Sequence, residues 1–452
     1  MNLPIDHLRD IQGLLIYGYG RLRHADYFML HLGGDSERSK AFLEKITPEV
    51  GSAEKNPHKA CYALAFGKTG LEKSGWEVSE RTGFSRAFIE GMDTNHRNRI
   101  LGDFDFNSSD HWEWGSKKSQ SIDVLLISFA PDSDKLKHRR ELLQQAMAEY
   151  QVQEVHSTLD TYLDRKEHFG FRDGISQPVI KGAGRPSGEN EELNPGEFIF
   201  GYPNEYRKIP HSPIQIGENG SYLVFRQLEQ KVKTFWNYLL EQTENRSVEN
   251  AIYLAAKMVG RWPEGSPTTL TDDPNNSTFQ KSNRFGFYEK DRLGLGCPHG
   301  AHIRRTNPRD SVEDNPSQSS KASRKHRILR RGRAYGKPLS ASFDIEEMIK
   351  ADDDNENRGL NFICFNTDIE RQFEFVQHTW CNNQKFDGLY EEVDPISGVL
   401  GNGQEAKKTA FKIPERPFRR RISNIPAFVL MKGGGYFFFP GINAIQRIIN
   451  KT

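Results

Sequence analysis

The chain has 452 residues, of which 36% are hydrophobic and 27% are charged. Its 62 basic residues nearly balance its 61 acidic residues, so the overall charge gives no reason to expect a nucleic acid or a membrane surface as partner. No apolar run approaches the roughly 20 residues of a spanning helix. The N-terminus does not resemble an export signal, and the four cysteines are not closely spaced. Both features predict a cytoplasmic protein with reduced thiols.

The first 160 residues alternate strand and helix signals. Alternating or continuous apolar residues predict strands beginning at Asp26 and spanning 59–66, 122–129 and 152–158. Acidic caps followed by helical spacing predict helices after this first strand and from Asp132 to about 150, with a shorter helix over 85–92. This order of elements is the pattern of a ferredoxin-like sheet with helices on one face.

The second half is expected to repeat this architecture. A segment rich in Gly, Pro, Asn and Glu at 181–195, with the polar loop that ends at Gly220, predicts the connection between halves. The elements predicted beyond it are a strand at 222–226, helices from about 230 and over 254–262, a strand at 360–365, a helix from 368 and a hairpin over 428–440. We therefore expect an α+β fold of duplicated ferredoxin-like domains, 1–215 and 216–452.

The segment 168–178, H-F-G-F-R-D-G-I-S-Q-P, presents the carboxylate of Asp173 between Gly170 and Gly174. Glycine allows a tight turn and a close approach to a flat ligand. The apolar neighbours predict a partly dry pocket, in which the proton affinity of a carboxyl group can be tuned. Asp173 is therefore a candidate for proton transfer. The alternative is a surface turn capped by aspartate, because D-G is a common turn dipeptide.

The segment 297–309, C-P-H-G-A-H-I-R-R-T-N-P-R, combines possible metal ligands with three arginines. Neutral imidazole binds haem iron and zinc, so Cys297, His299 and His302 could form a metal site. The arginines suit the carboxylates of a bound cofactor better than they suit a bare cation. For His299 taken alone, a packed or exposed side chain is the simpler interpretation.

The segment 327–336, R-I-L-R-R-G-R-A-Y-G, places Arg330 after two aliphatic residues, which predicts a buried strand that directs one guanidinium into a pocket. Together the three segments resemble the dye-decolorizing peroxidases, a haem family of duplicated ferredoxin-like domains. G-F-R-D-G fits the family's G-x-x-D-G signature, A-H-I-R-R-T-N-P-R its proximal-histidine segment and R-I-L-R-R-G its distal-arginine segment. N-P-G-E-F-I-F-G-Y and D-I-E-R-Q-F-E-F further resemble the longer members of the family.

The resemblance implies one haem b per chain, held in the C-terminal half. By matching positions, His302 would be the iron ligand and Arg309 would pair with a haem propionate. Gly174, Leu360 and Phe362 would also contact the cofactor, the last two on its distal side. A haem-ligating histidine needs an acceptor for its second nitrogen.

The resemblance also implies the reaction. Asp173 would be the distal acid/base and Arg330 its partner. The enzyme would reduce hydrogen peroxide and oxidise bulky aromatic donors such as dyes and phenols by one-electron steps. Its activity would have an acidic optimum. Tyr335 is a candidate surface relay for electrons from large donors, with Trp380 as the next to test; alternatively its hydroxyl simply lies in water. For the acceptor beside the proximal histidine, Asp368 is the provisional choice.

Two other classes of function remain compatible with these residues. A haem-binding or haem-handling protein would share the site but turn over little peroxide. A Cys/His metal-binding module would hold no haem at all. The sequence leaves the oligomeric state open.

Overall fold

The structure is a computed structural model that describes residues 3–164, 166–400 and 409–451. Within these ranges the strands are β1 (His24–His31), β2 (Cys61–Phe66), β3 (Val124–Ala130), β4 (Gln153–Tyr162), β5 (Val179–Ile180), β6 (Glu192–Leu193), β7 (Ser221–Gln230), β8 (Leu329–Arg330), β9 (Arg333–Tyr335), β10 (Gly359–Asn366), β11 (Ala410–Ile413), β12 (Arg420–Ser423) and β13 (Val429–Phe439). The α-helices are α1 (Ile5–Asp10), α2 (Gly13–Tyr17), α3 (Ser36–Ile46), α4 (Lys68–Lys73), α5 (Arg86–Glu90), α6 (Asn95–Leu101), α7 (Ser133–Tyr150), α8 (Val232–Glu241), α9 (Val248–Val259), α10 (His302–Thr306), α11 (Pro316–Arg324), α12 (Ile345–Lys350) and α13 (Ile442–Asn450).

Strands β1 to β4 form one four-stranded unit in the order β2-β3-β1-β4. The neighbouring strands in this unit all pair antiparallel. Helix α3 connects β1 to β2 and α7 connects β3 to β4, and each helix begins at an aspartate, Asp35 or Asp132, whose side chain accepts a backbone N–H of the first turn. This is the ferredoxin-like arrangement that the sequence predicts.

The second unit repeats the same strand order as β13-β7-β10, followed by the short strands β9 and β8. Strand β7 pairs antiparallel with β13 and β10, and β10 pairs antiparallel with β9 and β8. Helices α8 and α9 follow β7, and two π-helical turns, Glu370–Glu374 and Val376–Cys381, follow β10. The predicted duplication of ferredoxin-like units is therefore confirmed.

The two units share one sheet. The fourth strand of each unit pairs with the second strand of the other, through Phe438 and Phe66 on one side and through Tyr162 and Ala334 on the other. Because β7 and β10 also pair, the sheet closes on itself. The boundary at residue 215 falls between β4 and β7, and the division into separate domains stays a prediction.

Side chains alternate along the strands between two apolar clusters. On β3, Ile127 belongs to a cluster enclosed by the sheet, whereas Leu126 belongs to a cluster between the sheet and helices α3, α7 and α13. A third cluster joins α8 and α9 to β11 and β12 in the C-terminal half. The candidate site lies between the second unit of the sheet and the helical segments that follow it.

The predicted C-terminal hairpin is wrong. Residues 429–439 form the single strand β13, and helix α13 follows it. The glycines of this strand provide space rather than a turn: a Cβ added to Gly433 would lie 2.5 Å from Nε1 of Trp114. Similarly, the helix predicted over 254–262 is α9, which starts earlier and ends at Gly260, whose φ of +96° stops the helix.

Among the described residues, no helix is both long and apolar enough to cross a membrane. The four cysteines are free thiols, and all four are buried. The cytoplasmic location stays a prediction from the sequence.

Candidate active site

A cavity of about 320 Å³ lies between the second unit of the sheet and α10 with its neighbouring π-helical turn. Strands β7, β8, β10 and β13 provide one wall, while α10, the second π-helical turn and residues 396–399 provide the other. The predicted site residues that line this cavity are Asp173, Gly174, His302, Arg309, Arg330, Leu360 and Phe362. Residues that are up to 189 positions apart in the sequence therefore meet at one site.

Asp173 is presented by a tight turn at the rim of the cavity. The turn is closed by a bridge between Lys166 and Arg172, and Gly170 has a φ of +95°, in the left-handed region that favours glycine. Gly174 also has a positive φ of +76°, and its N–H donates to Oδ1 of Asp173 at 2.6 Å. The glycines thus shape the backbone that holds this carboxylate.

Arg330 and Asp173 form an ion pair within the cavity. Nη1 of Arg330 donates to Oδ1 of Asp173 at 3.1 Å, and the two side chains keep 30% and 40% of their surface accessible. Strand β8 positions Arg330 by pairing it with Cys364 of β10. Burial alone would raise the pKa of Asp173, but Arg330, the Gly174 N–H and His302 together hold this pKa below its usual value.

His302 is the first residue of α10, and its ring is oriented by a buried carboxylate. Nδ1 of His302 lies 2.8 Å from Oδ2 of Asp394, whose side chain is fully buried. The other oxygen of Asp394 accepts the backbone N–H groups of Ile396 and Ser397 at 2.8 and 2.9 Å. This arrangement leaves Nε2 as the ring nitrogen that can bind a metal.

The choice of Asp368 as the partner of this histidine is wrong. Oδ1 of Asp368 accepts the backbone N–H of Arg371 at the start of the π-helical segment, and so caps that segment. Burial would raise the pKa of Asp394, but the nearby His302 and two backbone N–H donors lower it, so a carboxylate is maintained where the imidazole needs an acceptor.

Two of the three arginines after His302 hold the backbone instead of facing the cavity. Arg305 is fully buried and donates to the carbonyl oxygens of Trp380 at 2.6 Å and Glu392 at 2.8 Å. Arg304 donates to the carbonyl oxygens of Asp291 and Cys297. These bonds fasten α10 to its surroundings. The third arginine, Arg309, does line the cavity, and its guanidinium also donates to the carbonyl oxygens of Asn283 and Phe285 and to Oδ1 of Asn283.

Six arginines line the cavity: Arg172, Arg226, Arg261, Arg309, Arg327 and Arg330. Burial, followed by the charges of Arg327 and Arg261, lowers the pKa of Arg309 to about 9. Nε of Arg327 is buried without a hydrogen-bond partner among the described residues, although Oε2 of Glu191 lies 3.7 Å from it. Such an accumulation of buried positive charge with an unused donor fits an anionic group, such as a carboxylate.

The alternative metal site is not assembled. Nδ1 of His299 lies 2.5 Å from Oδ2 of Asp387, and the buried Cys297 is 4.0 Å from the carbonyl oxygen of Pro298. In the part of the chain that the structure describes, no three His, Cys, Asp or Glu side chains are grouped so that they could hold a metal ion. The residues therefore do not support a Cys/His metal-binding module.

Leu360 and Phe362 alternate on β10 and line the sheet side of the cavity. Tyr335 does not line it, and the prediction that it lies at the surface is wrong: only 5% of its surface is accessible, because β9 pairs with β10 at this point. Its hydroxyl lies 3.4 Å from Oδ1 of Asn357 rather than in water. Trp380 is likewise buried.

A comparison with known families agrees with this geometry. A family model described as Dyp-type peroxidase, C-terminal, matches residues 209–400. A dye-decolorizing peroxidase of Exidia glandulosa is 30% identical over 96% of this chain and 86% of its own length. The multifunctional dye peroxidase DyP2 of an Amycolatopsis species is 30% identical over 99% of this chain and 94% of its own length. The chain belongs to the DyP-type peroxidase family.

Solved structures of DyP-type peroxidases share the fold. The enzyme AnaPX of an Anabaena species has a TM-score of 0.81 at 25% identity, covering 98% of this chain and 95% of its own. A dye-decolorizing peroxidase in complex with 2,6-dimethoxyphenol has a TM-score of 0.78 at 25% identity, covering 99% of both chains. The chain is thus an oxidoreductase of the peroxidase class with the DyP fold.

Several residues of the site are not predicted by the sequence. Asp394 lies in a D-P turn, a signal that predicts a turn but not which side chain it will meet. Glu167 lines the cavity six residues before Asp173, and a buried pair of Arg226 and Asp103 lines its far side. Nothing in the local sequence marks these three groups, because each acquires its role from strands and turns that meet only in the fold.

Proposed function

We propose that the chain is a haem peroxidase that uses one haem b per chain to reduce hydrogen peroxide and oxidise dyes and phenols in one-electron steps. The residues fit this cofactor, because the cavity combines an oriented imidazole, an apolar strand surface and buried arginines. Nε2 of His302 would bind the iron, and Arg309 with Arg327 would hold the carboxylates. When bound, the haem supplies the iron that binds peroxide and takes up the oxidising equivalents of the O–O bond.

Asp173 moves the proton in this proposal. As a carboxylate it accepts the proton of the peroxide oxygen nearer the cofactor and returns it to the outer oxygen, which leaves as water. Both events use one carboxyl group, so no further acid is needed. Because Arg330 and the Gly174 N–H lower the pKa of Asp173, the base stays ionised in mildly acidic solution, which agrees with an acidic optimum.

Arg330 stabilises the negative charge that develops as the O–O bond breaks, since its guanidinium is fixed in the cavity before the reaction begins. Its other task is to orient Asp173 through their shared hydrogen bond. The observation that carries the proposal is that this pair lines the same cavity as His302, whose ring is oriented by the buried Asp394.

An absorption spectrum of the purified protein tests the proposal directly. We expect the Soret band of a bound haem, a change in that band on adding one equivalent of peroxide, and its return on adding a phenol. A Soret band that peroxide and donor leave unchanged would identify a haem-binding protein without peroxidase activity. Absence of haem binding would contradict the proposal altogether.

We also propose that Tyr335 passes electrons from large donors towards the cofactor, although it is buried. Because Tyr335 is buried, a dye bound at the surface would need a further residue between itself and Tyr335 to pass on its electrons. Tyr335→Phe should lower the turnover of bulky dyes more than that of small phenols, while leaving the reaction with peroxide unchanged. Tyr390→Phe, at a tyrosine that is 67% exposed, is the control. Equal loss with both donor sizes would remove Tyr335 from the route.

A further inference from the structure

The turn that carries Asp173 is built around a second carboxyl group, that of Glu167. Oε1 of Glu167 accepts the backbone N–H of Phe171 at 2.8 Å, and Oε2 accepts the backbone N–H of Phe169 at 2.9 Å. The backbone of Glu167 closes the same turn, because its N–H donates to the carbonyl oxygen of Phe171 and its carbonyl oxygen accepts the N–H of Gly170. The carboxyl group therefore organises the turn from inside.

Strand β7 supplies a third partner to this carboxyl group. Nε2 of Gln230 donates to Oε2 of Glu167 at 2.5 Å. Oε1 of the same amide is buried and has no hydrogen-bond partner among the described residues. An amide can exchange its donor for its acceptor by rotating, so Gln230 could donate a hydrogen bond to an ionised Glu167 and accept a hydrogen bond from the O–H of a neutral one.

We propose that Glu167 is a positioning residue for Asp173. Together with Gln230, Glu167 fixes the turn that presents Asp173, and the gain and loss of a proton on Glu167 changes the basicity of Asp173. The inference rests on the proposed role of Asp173 as the base. Glu167 acts through the turn and through charge, and it does not need to touch peroxide.

The electrostatics of the site support the coupling. Burial raises the pKa of Glu167 to about 7; the N–H groups of Phe169 and Phe171 and the Gln230 amide oppose this rise, and the negative charge of Asp173 adds to it. The effect is reciprocal, so ionisation of Glu167 makes Asp173 a stronger base. Glu167 should consequently be neutral in acidic solution and ionised above neutrality.

Among the other charged groups near this turn, Arg172 lines the cavity beside Asp173 and is not among the causes that shift the pKa of Glu167; the remaining groups are engaged elsewhere. On the turn itself, Lys166 pairs with the exposed Glu264 at 2.5 Å, and the buried His168 lies 2.8 Å from the carbonyl oxygen of Tyr335. On β7, Arg226 pairs with Asp103, and on β8 Arg330 pairs with the catalytic carboxylate. Asp173 is therefore the charge through which Glu167 acts in this account.

Infrared spectroscopy tests the proton on Glu167 without reference to activity. We expect the carbonyl stretching band of a buried protonated carboxyl group that disappears as the pH rises through about 7, in the protein with and without haem. Glu167→Gln should remove this band. Gln230→Leu, which keeps the carboxyl group, should move its titration midpoint. Glu264→Gln, which removes the outer partner of Lys166 on the same turn, should leave band and midpoint unchanged.

The pH dependence of the peroxide step tests the coupling. In the haem-loaded wild-type protein, the rate at which peroxide changes the haem spectrum should show an inflection near pH 7 in addition to the acidic limb of Asp173. Glu167→Gln should lack this inflection and react more slowly at all pH values, by up to about 100-fold if the base is misplaced. Glu264→Gln should match the wild type.

The possible results separate the two proposals. A band that persists in Glu167→Gln, a midpoint unmoved in Gln230→Leu, or rate profiles of wild type and Glu167→Gln that superimpose would overturn the role of Glu167. If haem-loaded wild-type protein does not react with peroxide, the proposed function fails, whereas the infrared titration still shows whether Glu167 holds the second proton.

Discussion

At the scale of single residues, the site separates two tasks between two carboxylates. Asp173 is accessible from the cavity and is partnered by an arginine, which suits a group that must accept and release a proton. Asp394 is fully buried and holds an imidazole, which suits a group that must keep its charge. The same side chain thus has different chemistry because its surroundings differ.

The orientation of His302 can be tested by removing its acceptor. Asp394→Asn should weaken haem retention by about 10- to 100-fold, because the amide leaves the imidazole poorly oriented and less basic. Haem loss to a scavenging apoprotein measures this directly.

Asp387→Asn is the matched control, since Asp387 contacts His299 in the same way that Asp394 contacts His302. This control should retain haem as the wild type does. Haem loss in Asp387→Asn with full retention in Asp394→Asn would instead identify His299 as the ligand.

At the scale of elements, the turn before Asp173 depends on a backbone conformation that favours glycine. Gly170→Ala should lower the free energy of unfolding by about 1–2 kcal/mol from the positive φ alone, and by more because a Cβ would lie 2.8 Å from Cε of Met348. Urea denaturation measures the loss. Gly184→Ala has a positive φ of +72° but no atom within 4 Å of the added Cβ, so it should show only the backbone cost. Equal losses would mean that packing against Met348 is unimportant.

The sequence predicts elements best where local signals decide. The helices that begin at Asp35 and Asp132 are confirmed because each has a capping side chain and a helical apolar pattern. The three glycines of the C-terminal strand look like a turn and so predict a hairpin, but Gly433 makes room for Trp114 within one continuous strand. Local sequence signals do not predict partners such as Asp394, because its contact with His302 joins residues 92 positions apart.

At the scale of the whole molecule, the two units share a closed sheet, and the cavity uses strands of the second unit and a turn that follows the first. Asp173 comes from the connection after β4, whereas Arg330 and His302 come from the second unit. The pair of Asp173 and Arg330 therefore forms only when both halves are folded together, which explains why sequence motifs far apart belong to one site.

The stability of the whole chain should fall in acid because of His168. Burial lowers the pKa of His168 to about 4, from an ordinary value of 6.5. The contribution of this neutral histidine to the free energy of unfolding is complete above pH 6.5 and is lost as the pH falls to about 4. The loss amounts to up to about 3 kcal/mol. Urea denaturation of wild type and His168→Gln across this range should show the stability of the wild type falling more steeply. Parallel pH profiles would mean that the pKa of His168 does not differ between the folded and unfolded protein.

Asp173 is proposed to be the base that transfers the peroxide proton. The most direct measurement is the stopped-flow rate at which peroxide changes the spectrum of haem-loaded protein between acidic and neutral pH, compared for wild type, Asp173→Asn and Arg330→Leu. We predict that Asp173→Asn retains haem but reacts about 10²–10⁴-fold more slowly without the acidic limb, and that Arg330→Leu moves this limb to higher pH because the carboxylate loses its cation. An Asp173→Asn protein that reacts at the wild-type rate with the same pH profile would contradict the account.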